Sequence, residues 1–98
     1  MEYLICNNVL TENGDFMTAL RQGNQLTTTI DILYDNFEPA TIDYDNYVKE
    51  IWEFQDDDGI LYWVQHLKCD DSVWVFSNVK HTENAKMVAY ALNNLIDK

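Results

Sequence analysis

Ninety-eight residues carrying 17 acidic and six basic side chains have a formal charge of −11. A field of that sign repels nucleic acid and anionic membrane surfaces and speeds encounter with basic proteins. With 47% hydrophobic and 13% aromatic residues, residues 1–98 read as a single acidic domain that buries a modest core without metal or disulfide. The opening stretch MEYLICNNVL lacks the basic n-region and apolar run of a signal peptide. No apolar segment approaches the ~18 residues of a transmembrane helix. Cys6 and Cys69, distant in sequence, read as free thiols of a reducing cytoplasm.

Taken in chain order, Tyr3–Cys6 suits a first strand that ends at the turn-prone pair Asn7-Asn8. Thr11 or Asn13 is placed to cap a helix through about Gln22, with Phe16, Met17, Ala19 and Leu20 as its apolar face and Gly23 as its stop. From Gln25 to Asn36, Leu26, Thr28, Ile30 and Ile32 alternate with Thr27, Thr29, Asp31 and Leu33, which is strand periodicity. Phe37-Glu38-Pro39 breaks that strand. Thr41–Tyr47 fits either an extended segment or the cap and first turn of a short helix.

Val48–Gln55 and Ile60–Leu67 flank Asp56-Asp57-Asp58-Gly59, and an Asp-Gly pair between two such runs is a strong hairpin signal. Ser72–Val79 follows the Cys69-Asp70-Asp71 turn and completes a three-stranded meander. Trp52, Phe54, Trp63, Trp74 and Phe76 are expected to cluster across its strands. Thr82 then caps a helix through about Ile96, with Met87, Val88, Ala91, Leu92, Leu95 and Ile96 facing the meander. The expected fold is α+β: a small antiparallel sheet in the order β-α-β-(β)-β-β-β-α, with two helices and the C-terminal one packed on the sheet.

No catalytic or cofactor motif emerges, and neither an enzyme nor a metal or cofactor is expected. Aligning Gly59 with the invariant glycine of a calcium loop puts Phe54 and Gln65 at two ligand positions, so that loop fails. His66, Cys69, His81 and Cys6 do not have the spacing of a four-ligand zinc site. Glycines only at 14, 23 and 59 leave no phosphate cradle. Trp52, Trp63 and Trp74 lie among acids rather than bases, which disfavours stacking of single-stranded nucleic acid.

The distinctive stretch is Asp31–Asp58, with ten carboxylates against one base, Lys49. Ile32, Leu33, Tyr34, Phe37, Tyr44, Trp52 and Phe54 interleave them, unlike a disordered acidic tail. Duplex DNA carries about one charge per ~1.7 Å, so ten carboxylates in a ridge match on the order of 17 Å of duplex, and a homodimer doubles this. The expected partner-binding residues are Asp31, Asp35, Glu38, Asp43, Asp45, Glu50, Glu53, Asp56, Asp57 and Asp58, extended by Asp70 and Asp71. Tyr34, Tyr44 and Tyr47 would add contacts.

In size, charge, scarcity of bases over Asp31–Asp58 and aromatic α/β core, the chain resembles the small acidic phage-encoded DNA mimics. Those proteins inhibit restriction enzymes, CRISPR effectors or nucleoid proteins, and they share no motif. The resemblance implies anti-restriction-type inhibition: a basic DNA-binding protein or nuclease is bound in its DNA groove, in the host-cell cytoplasm, without catalysis and without direct contact to nucleic acid or membrane. The alternative is an acidic interaction module, such as an immunity protein or adaptor, that binds a basic partner through one local hot spot.

Overall fold

A computed structural model describes residues 4–10 and 23–95. The helix expected over Thr11–Gln22 lies outside the described residues. In chain order the elements are β1 (Ile5–Asn7), β2 (Gly23–Gln25), α1 (Ile30–Asn36), β3 (Thr41–Ile42), β4 (Val48–Gln55), β5 (Leu61–Leu67), β6 (Val73–Ser77), a 3-10 turn (Val79–His81) and α2 (Thr82–Asn93). The six strands form one antiparallel sheet in the order β1-β4-β5-β6-β2. Both β1 and β3 pair with β4, β1 at Glu53–Gln55 and β3 at Glu50–Ile51, along the edge that β5 leaves open.

The meander forms as its turn signals require. Gly59 takes φ +82°, a left-handed conformation that costs glycine little. Asp56 accepts from the backbone N–H of Asp58 at 2.9 Å and of Ile60 at 3.0 Å. The β4–β5 pairing then runs from Gln55↔Leu61 to Val48↔Leu67, with an extra β4 residue between Val48 and Ile51. That bulge turns Val48 to the same side as Ile51 while Glu50 stays on the side of Trp52.

The sheet is covered on both faces. On one, Trp52, Phe54, Tyr62, Val64, Val73 and Val75 pack with Leu33 of α1 and with Ala85, Val88, Ala89 and Leu92 of α2. These α2 positions recur at intervals of three, four and seven residues, the stripe a helix needs to cover a sheet. On the other face, Val48, Ile51 and Trp63 pack with Leu10, Tyr44, Leu61, Leu67 and Phe76. Asn93 at the end of α2 holds the chain that enters α1, its Oδ1 accepting from Thr27 N at 2.7 Å and Thr28 N at 3.3 Å.

Three local expectations are corrected. The strand expected over Gln25–Asn36 is only β2 at its start, and its second half is the helix α1. Thr29 caps α1 with its hydroxyl on Ile32 N, and Leu26, Ile30, Leu33 and Phe37 pack into the core at intervals of four, three and four. A capping threonine and the helically spaced Ile30, Leu33 and Phe37 outweigh the alternation of β-branched residues.

The aromatic cluster is divided by the pleat. Trp52 and Phe54 lie on the helix-covered face, and Trp63 and Phe76 pair on the other, because successive side chains point to opposite sides. In α2, Thr82 is the first helical residue rather than the cap, which is His81 without a side-chain bond; Met87 is 68% exposed and the small Ala85 and Ala89 face the sheet instead. The undecided stretch Thr41–Tyr47 is a two-residue strand followed by turns.

Replacing the capping threonine, Thr29→Ala, is expected to lower stability by about 1 kcal/mol in urea denaturation. A near-zero change would mean that this side chain does not hold the start of α1.

Candidate partner-binding surface

Two of the twelve carboxylates expected on the surface are inside. Glu53 is 0% exposed. Its Oε1 accepts from the Trp63 indole at 2.9 Å and its Oε2 from the Asn7 amide at 2.8 Å. Trp63 and Asn7 are its direct cross-strand neighbours on β5 and β1, so the register itself supplies the donors. Glu50, 3% exposed, lies at the bulge, where it accepts from the Tyr34 hydroxyl and meets His66 Nδ1. Neither residue presents charge to a partner. Buried on a central strand, each carboxylate is retained through hydrogen bonds rather than solvation.

His66 closes this network, with Nε2 3.0 Å from Asp71 Oδ1. Ionised carboxylates only accept, so both contacts are hydrogen bonds together when the imidazole carries both its protons. With both ring nitrogens occupied, His66 is not available to activate the exposed Cys69. The network joins α1, β4, β5 and the β5–β6 turn, and Asp71 takes φ 60° there. Four residues from four segments gave no local sequence signal. Among the described residues, no group of three or more His, Cys, Asp or Glu side chains is placed to hold a metal ion.

Three further acids build turns. Asp45 accepts from Tyr47 N at 2.8 Å and Val48 N at 2.7 Å, and Asp70 from Ser72 N at 3.0 Å and Ser72 Oγ at 2.6 Å. Asp56, besides its two backbone donors, accepts from the Tyr62 hydroxyl at 2.7 Å. Burial disfavours the charge on Asp56, but the bonds from Tyr62, Ile60 and Asp58 together with nearby His81 outweigh it. Its carboxyl is therefore held below the ordinary 3.8. The side-chain and backbone bonds from Ser72 lower Asp70 in the same direction.

The remaining seven, Asp31, Asp35, Glu38, Asp43, Asp57, Asp58 and Asp71, are exposed. They do not form one ridge. Asp57 and Asp58 sit at the β4–β5 hairpin, whereas Asp43, Asp45, Asp70 and Asp71 lie at the opposite end of β4, where Lys68 N bonds Tyr47 O. Eight residues of strand separate these ends by roughly 23 Å.

A different grouping is defined by the absence of bases. No Lys, Arg or His occurs between Arg21 and Lys49. That base-free segment includes α1, the connector through Pro39 and β3, and so carries Asp31, Asp35, Glu38 and Asp43 along the β1/β3 side of β4. Among the described residues seven large hydrophobic side chains are exposed; Tyr34, Ile42 and Tyr47 belong to this segment, and Ile5 and Val9 lie in and just after β1. The last two, Met87 and Tyr90, are on α2.

Comparison with known proteins returns no match: no family model fits the chain, and no curated protein or solved structure is significantly similar to it. The surface must therefore be judged by its own chemistry. Between α1 and β3 lies a groove of about 490 Å³ lined by Tyr34, Phe37, Pro39 and Ile42 together with Asp35 and Glu38. A second groove, of about 540 Å³, lies across the Phe37-Glu38 backbone and is lined also by Cys6, Asn7 and Val9.

Tyr34 is held firmly at the first groove. Its ring meets Trp52 edge-on at 5.1 Å and its hydroxyl donates to Glu50. Burial, that bond and the charges of Glu50 and Asp43 push its pKa up to about 12, so it stays a neutral donor. In the second groove the Cys6 thiol donates to Glu38 O at 3.6 Å. Burial first, then Glu38 and Glu53, push it up to about 11, which leaves a poor nucleophile. No helix among the described residues is long and apolar enough to cross a membrane.

Two measurements test these assignments. Glu53→Ala, which strands the Trp63 and Asn7 donors, is expected to cost on the order of 3 kcal/mol in chemical denaturation. A surface-like change near zero would return Glu53 to the exposed set. Asp56 has a lowered folded-state pKa, so its stabilisation is present above the unfolded value near 3.8 and is lost as pH falls through the folded one. The stability difference between wild type and Asp56→Asn should accordingly be full at about pH 5 and shrink progressively below about pH 4. A difference that stays constant across that window would remove the assigned role.

Proposed function

We propose that the protein is a non-catalytic binding protein that lays its base-free acidic surface on the nucleic-acid-binding face of a basic protein, mimicking the charge of DNA and inhibiting that protein. The observation that carries this is the segregation of charge between Arg21 and Lys49: exposed Asp31, Asp35, Glu38 and Asp43 with no base among them in sequence. A phosphate-binding groove is attracted to such a surface by the same long-range field that draws it to duplex. A restriction enzyme or another defence nuclease is a partner of the right chemistry. The burial of Glu50 and Glu53 narrows the surface, and Asp57 and Asp58 would act as a separate contact at the far hairpin. The two free thiols, Cys6 and Cys69, support a reducing, cytoplasmic setting.

A second function, an interaction module of the immunity-protein or adaptor kind, is favoured by one observation. Exposed Tyr34, Ile42 and Tyr47 stand among these acids, and apolar or aromatic anchors ringed by polar residues are how hot spots are built. Charge-reversal scanning separates the two. Graded losses across Asp31, Asp35, Glu38 and Asp43 favour charge mimicry, whereas dominance by Tyr34 or Ile42 favours the module.

The primary test is capture from a lysate on the immobilised protein at low salt, followed by elution with duplex DNA. Proteins released by DNA, with affinity falling at least about tenfold between low and physiological salt, are the expected result. Partners that hold through both DNA and high salt would sink charge mimicry.

A further inference from the structure

We infer that the groove between α1 and β3 is the anchor point for an arginine side chain of the basic partner. This rests on the proposed binding function and names the chemistry of its contact.

The groove combines two features that only a few side chains satisfy together. Tyr34, Phe37, Pro39 and Ile42 give it apolar walls, and Asp35 and Glu38 bring carboxylates to the same space. It is an open surface groove of about 490 Å³, room for one long side chain laid along it rather than an enclosed ligand site. A purely apolar anchor would fill the walls while desolvating two unpaired carboxylates, which is costly. A phosphate or a second copy of this chain would bring more negative charge. A lysine offers an apolar stem, but its ammonium is a compact, strongly hydrated point charge.

Arginine has the stem as well, together with a weakly hydrated planar head that pairs bidentately with carboxylates and stacks on aromatic faces. The site is also prepared in advance. Tyr34 is fixed by its edge contact to Trp52 and its bond to Glu50, so little side-chain freedom is lost on binding. The net charge of −11 favours a basic segment before contact.

The test is a nuclear magnetic resonance titration of the full chain with three blocked pentapeptides, Gly-Gly-X-Gly-Gly, where X is arginine, lysine or norleucine. Saturable amide shifts confined to Tyr34–Ile42 are expected for arginine. Affinity should be about threefold or more weaker for lysine, and binding should be absent for norleucine. Glu38→Gln and Ile42→Ser should each weaken the arginine peptide about tenfold, while Glu83→Gln, at an exposed acid on α2, should not.

Equal shifts from arginine and lysine spread over Asp57 and Asp58 would reduce the site to general charge attraction and overturn the inference. So would binding of norleucine, or no saturable shift at all. If a DNA-displaceable partner is captured but binds Glu38→Gln and Ile42→Ser like wild type, the arginine anchor fails and the proposed function stands. If the arginine peptide saturates the groove but nothing captured yields to DNA, the charge-mimic function fails instead.

Discussion

Glu53 is a carboxylate with no exposed surface in the middle of the sheet, and the rest of the architecture has to satisfy it. The antiparallel register does so by placing the Trp63 indole opposite it on β5 and the Asn7 amide opposite it on β1. Each donor therefore fixes the alignment of one neighbour of β4. A one-residue slip on either side would leave a buried charge without that partner and would turn every apolar side chain to the wrong face. Three strands are locked in this way by a single side chain that composition alone assigns to the surface.

The bulge three residues earlier has the opposite effect on the surface. It keeps Glu50 on the helix-covered face while Val48 joins the other core, and so brings Glu50 to Tyr34 and His66. This ties α1 to the sheet through a hydrogen bond as well as through Leu33 and the Trp52 contact. Because α1 is held there, Asp35 at its C-terminal half and Glu38 just beyond it border the same groove. Charge inside the protein thus positions the charge outside it. The candidate surface owes its order to buried polar contacts and its attraction to exposed ones.

Much of the sheet was legible because its signals are local and agree. Asp-Gly between two β-branched, aromatic runs specified the β4–β5 hairpin, and the three strands of the meander and the closing helix appear where their patterns put them. Segment Gln25–Asn36 is ambiguous in sequence because its β-branched residues satisfy the period of a strand while Ile30, Leu33 and Phe37 also satisfy that of a helix, with Thr29 as its cap. In α2 residue size points to Met87 as inward, whereas helical phase puts the smaller Ala85 and Ala89 against the sheet.

The sequence by itself determined the α+β class, the acidity and the absence of bases from the segment that forms α1 and β3. These follow from composition and from periods two to four residues long. Only the tertiary structure decided which acids are available: Glu50 and Glu53 are inside, Asp45, Asp56 and Asp70 are engaged in turns, and Asp57 and Asp58 lie a strand's length from Asp43 and Asp71. A carboxylate's availability depends on which donors the register and the packing bring to it, and those donors come from residues up to 46 positions away in the chain. Linear patterns carry no information about partners at that distance, whereas the folded sheet fixes them.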